Sequence, residues 1–183
     1  MKDMLKDKFG RTINYLRLAV VDRCNLRCTY CMPENGLHWI KQKELMTDDE
    51  IIRLCSIFTQ LGVDKIRITG GEPFVRKNCM ELIQRISQIN QLSELNITTN
   101  GILTEPFIPE LKALGIKSVN LSLDTLDEDR FFKITRRNEF QQDMKTMQSL
   151  LSHDIQVKIN CVVMDGQNIE DIIPAIYEKG ETP

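Results

Sequence analysis

The stretch Lys65-Ile66-Arg67-Ile68-Thr69-Gly70-Gly71-Glu72-Pro73 carries the pattern that decides the fold of this chain. Its first five residues alternate polar and apolar side chains, which is the period of a β-strand with two different faces. The glycine pair and the proline end that strand in a turn. The segment after the turn carries apolar residues at helical spacing, among them Cys79, Ile83 and Ile86. The stretch therefore predicts a strand, a turn and a helix in that order.

The same unit recurs along the rest of the sequence. Ahead of the stretch quoted above, Thr47 and Glu50 form a predicted capping box at the start of a helix, and Gly62 follows its last turn. Alternating strands and helices favour parallel strands joined by right-handed crossovers, so we predict an α/β fold of about five strand–helix units. The predicted strands are Tyr15–Val21, Lys65–Thr69, Glu94–Thr98, Lys117–Leu123 and Ile155–Val163.

The composition excludes several classes of protein. The chain has 183 residues, which is the size of one domain, and 24 Lys and Arg stand against 26 Asp and Glu. This balance, with 42% hydrophobic residues, excludes a basic nucleic-acid-binding arm and a disordered acidic chain. No apolar stretch is long enough for a membrane span or a signal peptide, so we expect neither a membrane nor a nucleic-acid partner and place the protein in the cytoplasm.

Each predicted strand carries its polar residues on one face. A parallel sheet is normally apolar on both faces, so a polar face is costly unless it lines a ligand site, which in barrel folds lies near the carboxyl ends of the strands. Three cations on this face favour a multiply charged anion as the ligand. Pairing with carboxylates such as Glu72 and Asp124 is the alternative, and it accounts for one or two of the cations. The three cations are Arg17, Arg67 and Lys158.

The six cysteines divide into two groups. Cys55, Cys79 and Cys161 fall on apolar faces, where a free cysteine packs as a small hydrophobic residue, so we predict all three in the core. The other group, Cys24, Cys28 and Cys31, lies in the loop Asp22–Pro33 directly after the first strand.

Three thiolates in one loop fit three corners of a cubane iron–sulfur cluster, which leaves the fourth iron open to a ligand from outside the protein. Zinc is the alternative, but structural zinc takes four protein ligands, and only His38 follows this loop within reach.

The loop resembles the Cys-x3-Cys-x-aromatic-Cys signature of the radical S-adenosylmethionine (SAM) enzymes, with Tyr30 as the aromatic residue. The turn Gly70–Pro73 resembles the GGEP motif of the same superfamily. The resemblance implies a partial (βα)6 TIM-like barrel and a [4Fe-4S] cluster on Cys24, Cys28 and Cys31. It also implies that SAM is bound by Tyr30, Gly71 and Ser122.

A narrower resemblance, from Phe9 to about Ile176, is to the GTP 3',8-cyclase family that begins molybdenum cofactor biosynthesis. This resemblance implies a lyase that cleaves SAM reductively to a 5'-deoxyadenosyl radical, which cyclises GTP to 3',8-cyclo-7,8-dihydro-GTP. It implies a homodimer, a reductant protein and a following enzyme of the pterin pathway as partners. The residues that it implies for GTP are Arg17, Arg67, Thr98 and Lys158. The segments that carry it include Leu16–Leu18, Lys65–Pro73, Thr98–Gly101, Asn120–Leu126 and Val157–Asn160.

The family's chain continues into a sixth strand and a region with three more cysteines, whereas no cysteine follows Cys161 here. We therefore expect residues 1–183 to be a radical SAM core domain truncated at its C-terminus, without the second-cluster region. Two other functions stay open at this point. One is a non-catalytic remnant that binds only the cluster and SAM, and the other is a radical SAM enzyme that acts on a peptide.

Overall fold

The five predicted strands are confirmed within a few residues at each end. The computed structural model describes residues 4–166 and 168–169. Strand order in the sheet follows chain order, and every neighbouring pair is parallel. The architecture is that of part of a TIM-like barrel. The strands are β1 Tyr15–Ala19, β2 Lys65–Thr69, β3 Glu94–Thr99, β4 Ser118–Ser122 and β5 Gln156–Asn160.

Helices follow the strands in sequence. The capping box predicted for α1 is confirmed, because the Thr47 side chain accepts a hydrogen bond from the backbone of Glu50 while the Glu50 carboxylate accepts one from the backbone of Thr47. Gly62, just past this helix, has a φ of +98°, which favours glycine. No helix in the described part of the chain is long and apolar enough to cross a membrane. The helices are α1 Asp48–Gln60, α2 Cys79–Ser87, α3 Ile108–Ala113, α4 Glu128–Thr135 and α5 Phe140–Ser152.

One face of the sheet packs on the helices and forms the core. On β2, β3 and β4 the alternate residues of this face are buried, and most of them belong to one cluster with apolar residues of α1, α2, α3 and α5, whereas Ile159 on the edge strand β5 is exposed. Cys55 and Cys79 belong to this cluster, as predicted. The other face of the sheet is left for the polar side chains. The fully buried strand residues are Ile66, Ile68, Ile97, Val119 and Leu121.

The prediction that Cys161 lies in the core was wrong. β5 ends at Asn160, and Cys161 is half-buried just beyond the sheet, with its Sγ 3.5 Å from the backbone oxygen of Asp124. The physical reason is that the chain leaves the strand here. The backbone N–H of Val162 donates to the Asp124 carboxylate at 2.9 Å instead of continuing the sheet.

Candidate cofactor and anion site

Strand register arranges the polar face in three levels. Register partners lie side by side at one level, and two residues along a parallel strand rise by about 6.6 Å. The third level is therefore nearest the cysteine loop, which follows the carboxyl end of β1. The first level holds Arg17, Arg67 and Asn96, the second holds Thr98, Asn120 and Lys158, and the third holds Ser122 and Asn160.

The three cations do not lie near the carboxyl ends of the strands, where the barrel pattern predicted them. Arg17, Arg67 and Lys158 each occupy the middle of a five-residue strand. Arg17 and Arg67 are register partners, whereas Lys158 lies on β5, at the other end of the strand order and one level higher. An anion that contacts all three must therefore be long enough to span two levels.

Arg67 is oriented by an aromatic neighbour. Its Nε donates to the hydroxyl of Tyr15, and its guanidinium lies 5.9 Å from the centroid of the Tyr15 ring. Within the described part of the chain, its Nη1 is buried without a hydrogen-bond partner, and so is the Thr98 hydroxyl on the next level. Unpaired buried polar groups are costly, so each is a position where a bound anion would be stabilised.

Among the described residues, none of the three cations forms an ion pair with a carboxylate. Glu72 and Asp124, the carboxylates of the alternative, are engaged elsewhere. Glu72 accepts hydrogen bonds from Phe74 and Thr99, and Asp124 accepts one from Tyr30. The pKa of Glu94 is lowered mainly by a hydrogen bond from Asn96, and Lys158 adds to that shift, but the ion pair of Glu94 is with Lys65. The structure therefore disfavours direct pairing as the reason for the cations.

The turn after β2 fastens the cysteine loop through backbone bonds. The N–H of Gly71 donates to the carbonyl of Val21 at 2.7 Å, and the N–H of Glu72 donates to the carbonyl of Arg23 at 2.8 Å. A Cβ on Gly71 would lie 2.2 Å from the carbonyl oxygen of Arg23. Glycine is required here because the two backbones approach so closely, a constraint that sequence reasoning did not identify.

Arg136 holds the same loop from α4. Its Nη1 donates to the carbonyls of Arg27 and Met32, at 2.9 and 3.2 Å. The N–H groups of Arg27 and Thr29 donate to carbonyls in the last turn of α4. Sequence reasoning missed Arg136, because no local pattern links it to a loop more than one hundred residues earlier.

Tyr30 connects the cysteine loop to the end of β4. Its hydroxyl donates to Asp124 Oδ2 at 2.7 Å. Burial is the main cause that holds the pKa of Tyr30 well above its usual value, and the Asp124 carboxylate is the second. Tyr30 therefore stays a neutral hydrogen-bond donor. Ser122, the half-buried last residue of β4, lies two residues before Asp124 in sequence. The hydrogen bond to Asp124 therefore ties Tyr30 to the segment that directly follows Ser122.

Two of the three cysteines in the loop are partly shielded from solvent. Cys24 and Cys28 are half-buried, whereas Cys31 is exposed. Burial raises the pKa of Cys28 to about 11, and the nearby Asp124 carboxylate adds to that shift. Burial also raises the pKa of Cys24. A positive metal centre that binds these thiols therefore has to displace their protons.

The donor set suits a cluster better than a single ion. In the parts of the chain that are described, no three His, Cys, Asp or Glu side chains converge on a point where one metal ion would bind. A cubane binds its three thiolates through three different iron atoms, so the cysteines surround a cluster instead of meeting at one ion. His38, the histidine that follows the loop, is exposed and does not join the three thiols in a metal-binding group within the described residues. Three thiols in one loop are the number that a [4Fe-4S] cluster with one open iron requires, whereas structural zinc takes four protein ligands.

The family comparison agrees with this donor set. Residues 18–176 match the model of the radical SAM superfamily. The chain belongs to the radical SAM superfamily. Membership in this superfamily implies a [4Fe-4S] cluster and SAM as cofactors.

Two relatives have the same level of similarity to this radical SAM chain. It is 42% identical over 179 residues to the GTP 3',8-cyclase of Clostridium perfringens (strain 13 / Type A), covering 98% of this chain and 55% of that one. It is 44% identical over 173 residues to the mitochondrial GTP 3',8-cyclase of Arabidopsis thaliana, covering 94% of this chain and 44% of that one. The chain therefore spans about half the length of the relatives that it matches.

A solved radical SAM fold is also similar. Streptococcus suis SuiB bound to its precursor peptide SuiA has a TM-score of 0.74 at 21% identity, over 90% of this chain and 36% of that one. SuiB bound to S-adenosylmethionine has a TM-score of 0.72 at the same 21% identity, over 90% of this chain and 35% of that one. At this identity the likeness shows the fold alone.

Proposed function

We propose that residues 1–183 are the radical SAM core domain of a GTP 3',8-cyclase. The observation that carries the proposal is the pair of buried groups on Arg67 and Thr98 that have no partner among the residues described, on a face that also carries Arg17 and Lys158. A triphosphate is long enough to span the two levels on which these residues lie. The names of the C. perfringens and A. thaliana relatives support GTP as the substrate.

Each part of the site has a proposed role. Cys24, Cys28 and Cys31 would hold the [4Fe-4S] cluster, while Tyr30, Gly71 and Ser122 would contact SAM. When bound, the cluster and SAM together supply a 5'-deoxyadenosyl radical that starts the cyclisation of GTP. A homodimer, a reductant protein and a following enzyme of the pterin pathway belong to the same proposal. The GTP ligands would be Arg17, Arg67, Thr98 and Lys158.

The chain's own contribution is to orient the nucleotide. The Tyr15 hydroxyl accepts a hydrogen bond from Arg67 Nε and so orients the guanidinium. Arg67 Nη1, which has no partner among the described residues, remains able to donate to a phosphate oxygen. Phosphates held on the first and second levels would direct the ribose towards the third level, where Ser122 and the cysteine loop lie. Fixing the substrate in this way lowers the entropic part of the barrier.

Replacing Arg67 by Ala should weaken GTP binding about 10- to 150-fold. Charge-assisted hydrogen bonds contribute about 1.5–3 kcal/mol each, and about 1.4 kcal/mol corresponds to tenfold in affinity. GMP binding should weaken much less, because fewer phosphate oxygens reach the first level. Isothermal titration calorimetry of both nucleotides measures the difference.

The matched control is Arg53→Ala, which removes an exposed cation from α1, on the other side of the sheet. It should leave GTP affinity unchanged. Equal weakening by both variants would indicate a general charge effect and would contradict a phosphate site at Arg67.

The function itself is tested by anaerobic reconstitution with iron and sulfide. We expect a four-iron electron paramagnetic resonance signal that Cys28→Ala abolishes, and 5'-deoxyadenosine formation that depends on GTP. A wild-type chain without that signal would refute the cluster assignment. A loaded cluster without GTP-dependent turnover would favour the binding-only alternative, and turnover with a peptide instead of GTP would favour the peptide alternative.

A further inference from the structure

We propose that Asn100 is a positioning residue of the cysteine loop, which sets the reduction potential of the cluster through its side-chain bond to Cys24. The inference rests on the proposed function, because it takes Cys24 as a ligand of that cluster. Asn100 is the first residue after β3 and is almost completely buried. Its Nδ2 donates to Cys24 Sγ at 3.6 Å and to the side-chain oxygen of Asn25 at 2.8 Å.

The orientation of the Asn100 amide is fixed by its other bonds. Its backbone N–H donates to the buried Glu72 carboxylate at 2.8 Å, which fixes the main chain. Its Oδ1 accepts from the N–H of Ile102 at 3.2 Å, so the oxygen end is already occupied. The amide must therefore present its NH2 group to Cys24 and Asn25.

A hydrogen-bond donor to a ligating sulfur changes the reduction potential of the cluster. An N–H aimed at a ligating sulfur stabilises negative charge on the sulfur, and a cluster gains one negative charge when it is reduced. The backbone N–H of Leu26 donates to the same sulfur at 3.4 Å, so Asn100 supplies the second bond to it. Removing the Asn100 donor should therefore make the cluster harder to reduce.

The test compares variants of the reconstituted protein by redox titration followed by electron paramagnetic resonance. Asn100→Leu should disfavour reduction about tenfold, which is about 59 mV more negative for one electron. Asn100→Asp keeps the oxygen that faces Ile102 but replaces the NH2 group by a carboxylate oxygen, so its shift should be larger in the same direction. The control is Asn96→Leu, which replaces a buried asparagine within β3 whose side-chain bonds go to Glu94 and Ser118.

Iron content and thermal unfolding of each variant separate the possible outcomes. A folded Asn100→Leu chain that loses iron, beside an Asn96→Leu chain that keeps it, supports the positioning role. A wild-type potential in Asn100→Leu with full iron content overturns the inference and leaves the proposed function standing. If Asn100→Leu does not fold, the potential of Asn100→Asp decides in the same way. A wild-type chain that loads no cluster overturns both.

Discussion

Replacing Asp143 by Asn is expected to raise the free energy of unfolding by about 3 kcal/mol near pH 9, and by much less near pH 5. Asp143 lies on α5 with its side chain fully buried, and neither carboxylate oxygen has a hydrogen-bond partner among the described residues. Burial raises its pKa to about 8, and the charges of Glu72 and Asp124 add to the shift. An ionised carboxylate without a partner is costly in such a place.

The sign of the pH dependence follows from the direction of this shift. The usual pKa of 3.8 applies to the unfolded chain, and the folded value of about 8 is higher. The folded chain therefore holds a proton that the unfolded chain has released, and stability falls as the pH rises from about 4 to about 8. At about 1.36 kcal/mol per pKa unit the penalty is roughly 6 kcal/mol, of which the unpartnered amide of the variant retains up to about 3.

Urea unfolding near pH 5 and near pH 9 measures the effect. Glu34→Gln is the control, because it removes one exposed carboxylate and should change neither value. If Asp143→Asn stabilises the protein equally at both pH values, the carboxylate is not forced to ionise in the folded chain and this explanation fails.

Replacing Glu72 by Ala should have the opposite effect, a loss of about 4 kcal/mol near pH 5. The fully buried Glu72 carboxylate accepts hydrogen bonds from the N–H groups of Phe74 and Asn100 and from the Thr99 hydroxyl. Its removal leaves the two buried N–H donors unpaired, at about 1–3 kcal/mol each before relaxation, whereas the Thr99 hydroxyl can still bond to the Thr104 hydroxyl at 2.8 Å. The bonds also join the end of β2 to the end of β3.

The loss should be smaller near pH 9. Burial raises the pKa of Glu72 to about 7 although its hydrogen bonds act to lower it. Glu72 therefore costs the wild-type chain stability as the pH rises from about 4.5 through about 7, and the Ala variant lacks this contribution.

Thermal and urea unfolding of Glu72→Ala and Glu72→Gln are the measurements. The Gln variant retains one acceptor oxygen and should lose less than half as much stability. Equal losses in the two variants would show that the acceptor oxygen retained by Gln contributes nothing, and would contradict the hydrogen-bond explanation.

Local patterns account for most of what the sequence predicted. Strand alternation identified every strand, because one face of each has to meet the helices. Alternation also assigned Arg67 to the polar face of the sheet and its buried neighbours Ile66 and Ile68 to the face that packs on the helices. Cys161 was misplaced because alternation cannot show where a strand ends.

The contacts that complete the site join distant parts of the chain. Asn100 reaches Cys24 across 76 residues, and Tyr30 reaches Asp124 across 94. The steric role of Gly71 likewise depends on the carbonyl of Arg23 in another loop. Such relationships leave no periodic signal, so only the folded arrangement reveals them.

The alternation of each strand also places the proposed ligand contacts directly beside residues that stabilise the fold. Residues 17, 67, 98 and 158 point one way, while Leu18, Ile66 and Ile97 point the other and belong to the core. Under the proposed function, substitutions in the first set would change ligand preference while the core residues of the second set stay as they are. A library that randomises only those four positions would therefore search for new substrates without altering the core.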